Sequence, residues 1–305
     1  MRLSFHTLDV FTEKPFGGNP LAVVHGAEVL NDAQMQSIAR EFNLTETVFL
    51  FPPENQTHSA RIRIFTPFKE LPFTGHSTVG TAALLAQLKF KGKDTSQMDA
   101  LIALEEAIGT LRVGVRLRGE LAPFAEFDAP RLPEEAGLLP QVELLAASLG
   151  LIPSEIGFEN HRPVCFAGAG SSFCFIPISS RAALSKAHPN KEHWASAFRQ
   201  NGLIGAYLYT RQCEHMSSAF HVRMLAPDVG NQEDPATGSA ALCFAGVIKL
   251  FDALPDGSHK RILEQGFEIK RPSFLSLVLQ VDAQKLSGIR VGGHSFCLSE
   301  GTLDF

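Results

Sequence analysis

At 305 residues the chain is longer than one hydrophobic core ordinarily fills and long enough for two domains of common size. Its 45% hydrophobic and 19% charged residues fit a water-soluble globular protein, and a net charge of −5, with Lys and Arg scattered singly or in pairs, leaves no basic stripe for nucleic acid. The first ten residues alternate like a strand and no uncharged apolar run reaches about 18 residues, so neither a signal peptide nor a membrane span is expected.

Met1 to Val10 reads as a first strand. A Gly18-Asn19-Pro20 turn then joins it to a second strand, Leu21 to Val24, as a hairpin. Asn31-Asp32 can cap a helix from Ala33 to Phe42, with Met35, Ile38, Ala39 and Phe42 on one face. Asn43 to Thr47 ends that helix and Val48 to Phe51 starts a strand. Glu46 is a lone acid between two threonines at the lip of that strand: a surface carboxylate at a loop end, or a desolvated acid–base group.

Arg61 to Thr66 alternates and stops at Pro67, and Leu71-Pro72-Phe73-Thr74-Gly75-His76 then runs into the apolar segment Val79 to Leu88. The pattern returns half a chain length later. His221 to Ala226 stops at Pro227, and Glu233-Asp234-Pro235-Ala236-Thr237-Gly238-Ser239-Ala240 leads into Ala241 to Ile248. Each Thr-Gly-polar turn opening a small-residue helix aims backbone N–H groups at an anion, and the second has a carboxylate beside it. Strand, loop, turn and buried helix thus occur twice, which reads as an internal duplication.

Between and beyond these motifs, Lys89 to Met98 reads as a surface connection, and Ala100 to Leu104, Gly109 to Arg118 and Pro123 to Asp128 as strands. Pro130 to Pro140, dense in Pro and charge, is the linker candidate. A short helix is expected over Val142 to Leu149, two strands about a Gly-Ser turn over Arg162 to Pro177, and surface helices over Ser180 to Leu184 and His193 to Asn201, with Trp194 as core. Ala206 to Thr210, Ala219 to Leu225, Phe274 to Val281, Ile289 to Gly292 and His294 to Leu298 complete the strands. The boundaries follow: an N-terminal lobe over 1–129, a C-terminal lobe over 130–305, and a tail of about 293–305 that is a candidate to cross back. The fold class is α+β, with two pseudo-symmetric lobes, each a curled mixed sheet around an apolar helix. The five cysteines (Cys165, Cys174, Cys213, Cys243, Cys297) are odd in number, widely spaced and without Cys-x-x-Cys, as expected of reduced, mostly buried thiols in a cytoplasmic protein.

Taken together, Asp9 to Thr12, Gly18 to Val23, Asn43 to Thr47, Phe65 to Pro67, Glu70 to His76 and Glu233 to Ala240 resemble the phenazine-biosynthesis PhzF-like isomerase family, which shares the diaminopimelate-epimerase fold. The resemblance spans essentially the whole chain. It implies a cleft between the lobes, a homodimer, and isomerase chemistry on a small amino- or hydroxy-carboxylate with no metal or organic cofactor. It carries the acid–base glutamate onto Glu46, the Gly-His pair onto Gly75 and His76, and the Asp and Gly-Ser onto Asp234, Gly238 and Ser239. The family usually has Pro after Gly-His where this chain has Ser77, a change expected to alter the loop without removing a catalytic group. Epimerases of this architecture place a thiol in each loop; here those loops hold Pro72 and Pro235, which argues against a two-thiol racemase.

The expected catalytic set is therefore Glu46, His76 and Asp234, with Asn19, Gly75, Thr237, Gly238 and Ser239 binding substrate. Each has a plainer reading: Asp234 as a turn cap, Ser239 as a helix cap, His76 as a buried hydrogen-bonded histidine, Asn19 as a turn former. The alternatives in function are a dehydratase or racemase of a cyclic amino acid, and a non-catalytic small-ligand binder on the same fold.

Overall fold

The computed structural model describes residues 2–168, 170–229 and 231–304. The backbone divides into two compact units, Met1–Asp128 with Gly292–Phe305, and Ala129–Val291.

In the first unit β1 (Arg2–Val10) pairs antiparallel with β2 (Asn19–Val24). Asn19 and Pro20 lie in β2, so the connection is the segment 11–18 and not the Gly-Asn-Pro turn expected. Asp9 shapes that connection by accepting the Phe16 N–H at 2.7 Å, and Phe11, Phe16 and Gly18 take positive φ. Helix α1 (Asp32–Phe42) starts at Asn31, whose side chain accepts the Gln34 N–H while the Gln34 side chain accepts the Asn31 N–H. Met35 and Ala39 pack into a core with Phe49 and Phe65.

Strand β3 (Glu46–Phe51) runs parallel to β2, and β4 (Ala60–Phe65) antiparallel to β3. The short β5 (Glu70–Leu71) folds back on β4 and leads into α2 (Gly75–Lys89). Then β6 (Met98–Glu106) runs parallel to β4, β7 (Gly109–Leu117) antiparallel to β6, and β8 (Phe124–Asp128) antiparallel to β7. Helix α2 has no polar face, because β1, β2, β3, β6, β7 and β8 all pack against it. A Cβ on Gly80 would come within 2.7 Å of side chains of both Val10 and Leu21, so glycine there lets the helix sit directly on β1 and β2.

The second unit begins with the Pro-rich stretch read as a linker. It contains a two-residue strand, β9 (Glu134–Glu135), because the residues between Pro133 and Pro140 retain N–H groups that a ladder can use. Helix α3 (Val142–Ser148) follows, then β10 (Val164–Gly168), which pairs antiparallel with β9 and with β11 (Ser171–Pro177). The expected helix over His193 to Asn201 is split into α5 (Lys191–Ala197) and a 3-10 turn, Arg199–Asn201; α4 (Arg181–Lys186) precedes it. Trp194 is buried, with its ring centroid 4.2 Å from that of Phe198 and the planes tilted by 41°. Next come β12 (Ala206–Thr210), parallel to β11, then β13 (Phe220–Ala226) and β14 (Asn231–Asp234), each antiparallel to the strand before it, and α6 (Gly238–Phe251).

After α6 comes a strand that the sequence reading omits, β15 (Gly257–Gln265), parallel to β13 and antiparallel to β16 (Ser273–Asp282). The two short strands expected near the C-terminus are one continuous strand, β17 (Lys285–Asp304), and from Ser295 to Asp304 it pairs with β1. Gly292 does not break it. A Cβ there would strike the Ala125 carbonyl oxygen at 2.5 Å, so this glycine marks a close approach to β8.

Pairing follows the same sequence in both units. β1 to β7 repeat as β10, β11, β12, β13, β14, β15 and β16, with α2 repeated as α6: antiparallel, parallel, antiparallel, antiparallel, a parallel return, antiparallel. No helix among the described residues is long and apolar enough to cross a membrane.

Candidate active site

Glu46 is the first residue of β3 and is buried, which decides against the surface-carboxylate reading of its position. Its Oε2 accepts the Thr74 hydroxyl and, at 2.5 Å, the Ser77 hydroxyl; His76 Nε2 lies 3.4 Å from the same oxygen. All three come from the first turn of α2 or the residue before it, so the helix start wraps the carboxylate. Desolvation raises the Glu46 carboxyl to about 7 against the opposing pull of the two hydroxyls. Such a group gains and loses a proton at neutral pH.

Ser77, the departure from the family pattern, is more than a change in a loop. It is fully buried inside α2 and donates one of the two hydroxyl bonds that Glu46 receives. Gly75 and His76 are likewise buried in that first turn, and Asn19 is buried at the start of β2.

In the second unit Asp234 ends β14 and Thr237 occupies the position just before α6 without a side-chain bond to the helix amides. The Thr237 hydroxyl donates to Asp234 Oδ2 at 2.6 Å, so Asp234 does hold its turn, the plainer of its two readings, while remaining half-buried. Gly238 is buried and Ser239 half-buried in the first turn of α6, where Thr237 and not Ser239 is the cap residue.

The residue that organises this turn is Gln265, wholly buried at the end of β15. Its amide nitrogen donates to the Asp234 carbonyl at 2.8 Å and to Thr237 Oγ1 at 3.0 Å, and its oxygen accepts the Thr237 N–H at 3.1 Å. Glu264 beside it accepts the amides of Glu214 and His215 and pairs with the buried His221 at 2.6 Å. His221 also reaches Glu268 at 3.0 Å, and those two partners lift it, against desolvation, to about 9. Gln265, Glu264, His221 and Glu268 are not among the site residues expected from the sequence. Glu264-Gln265 preceding Gly266 reads as a polar turn unless the parallel return of the duplicated unit is carried through to β15.

Among the described residues no group of three or more His, Cys, Asp or Glu side chains could hold a metal ion. Cys165, Cys174, Cys213, Cys243 and Cys297 are free thiols. Cys243 lies within α6, buried, with its thiol pushed up to about 12 by desolvation. It is held far from the ionised state that a thiol base requires.

The chain matches the family of phenazine biosynthesis-like proteins over residues 8–301. It is 46% identical to an uncharacterised isomerase of Mesorhizobium japonicum over 97% of this chain and 96% of that one. It is 34% identical to the trans-2,3-dihydro-3-hydroxyanthranilate isomerase of Pseudomonas chlororaphis over 97% of each. A crystal structure of a PhzF-family phenazine biosynthesis protein from Bacillus anthracis superposes over 100% of both chains with a TM-score of 0.88 at 23% identity, which establishes the fold. With a family match across nearly its whole length and isomerases among its relatives, the chain belongs to the phenazine biosynthesis-like family and is an isomerase of the PhzF type.

Proposed function

We propose that this isomerase moves a proton on a small cyclic amino- or hydroxy-carboxylate by general acid–base catalysis, without a cofactor, and that Glu46 carries the proton. The observation behind the reading is the Glu46 carboxyl itself: enclosed, held by two hydroxyls from the start of α2, and poised near pH 7. The ionised carboxylate removes a proton from a carbon flanked by a double bond or a carboxylate. The resulting carboxylic acid delivers that proton to another carbon of the same system, so one C–H bond breaks, another forms and Glu46 is restored. The Thr74 and Ser77 hydroxyls stabilise the anionic form and orient its second oxygen, and His76 orients the substrate. General acid–base catalysis of this kind contributes roughly 10²–10⁴-fold.

In the second unit Asp234 is proposed to bind an amino group, and the amides of Gly238 and Ser239 a carboxylate, with Thr237 contributing through its hydroxyl because its N–H is taken by Gln265. Asn19 and Gly75 are proposed as substrate contacts in the first. The relative from Pseudomonas chlororaphis supplies a candidate of the right chemistry, trans-2,3-dihydro-3-hydroxyanthranilate, which carries both an amino and a carboxylate group. Cytoplasmic residence is supported by the five free thiols, and a homodimer by the family resemblance; light scattering of the purified protein tests the latter.

Incubation with trans-2,3-dihydro-3-hydroxyanthranilate in deuterium oxide should give isomerised product, and Glu46→Gln should slow it by about 10²–10⁴-fold. Unchanged turnover in Glu46→Gln would remove Glu46 from the mechanism. Tight binding of the same compound without isomerisation or label uptake would favour the non-catalytic binder.

A further inference from the structure

Glu106, the last residue of β6, is another buried carboxyl in the first unit and takes no part in the proton transfer described above. Its Oε1 lies 2.7 Å from Thr78 Oγ1, and its Oε2 has no hydrogen-bond partner among the described residues. Thr78 Oγ1 is also 2.9 Å from the carbonyl oxygen of Thr74, whose own hydroxyl donates to Glu46. The two carboxyls are therefore joined through one turn of α2, from Glu106 to Thr78 to Thr74 to Glu46.

The bonds along this path favour one charge state. Thr78 has one hydroxyl proton and two neighbours. If Glu106 were ionised, both neighbours would be acceptors and the hydroxyl could serve only one of them, leaving the Thr74 carbonyl with the Thr78 N–H alone at 3.2 Å. If Glu106 is neutral, its O–H donates to Thr78 Oγ1 and Thr78 donates to the Thr74 carbonyl, so the whole path is bonded with no buried charge left without a counter-ion.

The second unit supports this independently. Arg61 pairs with Glu105 across β4 and β6 as His221 pairs with Glu264 across β13 and β15, which sets Glu106 in the position of Gln265. Glu105 accepts the amides of Glu54 and Asn55 just as Glu264 accepts those of Glu214 and His215. Gln265, a neutral amide, bonds Thr237 at the cap of its helix; a protonated glutamate is the nearest carboxyl analogue of that amide.

We propose that Glu106 is a neutral carboxylic acid at rest and a positioning residue for Glu46, orienting Thr78 and through it the Thr74 residue whose hydroxyl supports the Glu46 carboxylate. The proposal rests on Glu46 as the acid–base group. Desolvation first, and the like charge of Glu46 in addition, raise Glu106 to about 8, while the bond to Thr78 opposes them. The charged and titratable groups on the elements packed against it are Glu46 on β3, His76 and Lys89 on α2, Arg61 and Arg63 on β4, Arg112 and Arg116 on β7, which pair with Ala103 and Asp99 and not with Glu106, and its neighbour Glu105, while β7 sets Gly109 opposite it. Neither arginine is its counter-ion: Arg61 is 3.7 Å from Glu54, and Arg63 is held by Glu70 and Asp32. Glu106 also lines a cavity of about 540 Å³ bounded in part by Arg61, Glu70 and Pro72, through which solvent protons can reach it.

Infrared titration of the whole protein labelled with ¹³C-carboxyl glutamate tests this without any substrate. The wild type should show two protonated carboxyls at pH 5 and lose them with apparent midpoints near 7 and 8, values that belong to the interacting pair. Glu106→Gln should abolish one band and leave the Glu46 midpoint in place. Glu106→Ala should raise that midpoint by about 0.5–1 pH unit through loss of hydroxyl support, and Thr78→Val should do the same. No protonated glutamate above pH 6 in the wild type, or a Glu46 midpoint identical in Glu106→Ala and Glu106→Gln, would overturn the proposal. Turnover lost or kept in Glu46→Gln bears on the catalytic reading alone.

Discussion

In the first unit Arg63 on β4 grips both carboxylate oxygens of Glu70 on β5 at 2.7 Å; in the second, Arg223 on β13 grips Glu233 on β14 at 3.0 and 2.7 Å. Glu105 and Glu264 likewise tie down equivalent loops. The chemistry is not repeated with the frame. Thr47 pairs with Phe65 as Ala206 pairs with Leu225, so the counterpart of Glu46 is Gly205. There a Cβ would come 2.2 Å from the Leu225 carbonyl oxygen, leaving no room for any side chain. The counterpart of Glu106 is an amide. Glu46 and Glu106, the two acids raised toward neutrality, thus sit in one copy, while the other keeps the bonding skeleton and puts an uncharged clamp on the start of its helix. A duplicated frame can hold its shape through the same ion pairs while only one copy meets the desolvation cost of a working carboxyl.

The comparison can be broken at its shared parts. Arg223→Ala should cost about 3–5 kcal/mol, because it strands Glu233 in a buried pair and frees the carbonyls of Leu184, Ser185 and Ala187. Arg63→Ala should cost only about 0–1 kcal/mol, since Glu70 and Asp32 remain well exposed to water. Urea unfolding of both variants checks the pair; equal losses would mean that the two grips are energetically alike. Gly205→Ala should destabilise by about 1–3 kcal/mol through overpacking against the backbone of β13, measured the same way.

A smaller effect sharpens the difference. Glu46 and Glu106 bind protons more tightly folded than unfolded, so between about pH 4.5 and 8 the unfolded chain holds fewer protons and stability falls as pH rises. Glu106→Gln removes one of those titrations. It should match the wild type at pH 5 and exceed it by roughly 1–3 kcal/mol at pH 9, read from urea midpoints at the two values. Gln265→Glu should install the same decline in the second unit.

Much of the frame was legible because its signals are local. The Asn31 cap, the strand alternation of Arg61 to Phe65 and the two Thr-Gly helix starts each declare themselves within a few residues. What escaped was set by partners distant in sequence. β15 (GSHKRILEQ) has the burial of a strand only because its last three residues enter the core, two of them polar. Glu105-Glu106 lies beyond the strand expected to end at Leu104, where two adjacent acids look like a solvated turn. Glu46 was marked by pattern, but its surroundings were not: the two hydroxyls that bond it come from a helix that begins some thirty residues later.

The run of β17 along β1 has a consequence for how the polypeptide is made. β1 leaves the ribosome nearly a whole chain ahead of its antiparallel mate, with Arg2 and Asp304 forming an ion pair across the join. The second unit, contiguous from Ala129 to Val291, can complete its own contacts while β1 still lacks one neighbour. The nascent protein therefore carries an unfinished sheet margin for most of its synthesis, and trimming at the far end should leave the opening strand prone to misassembly.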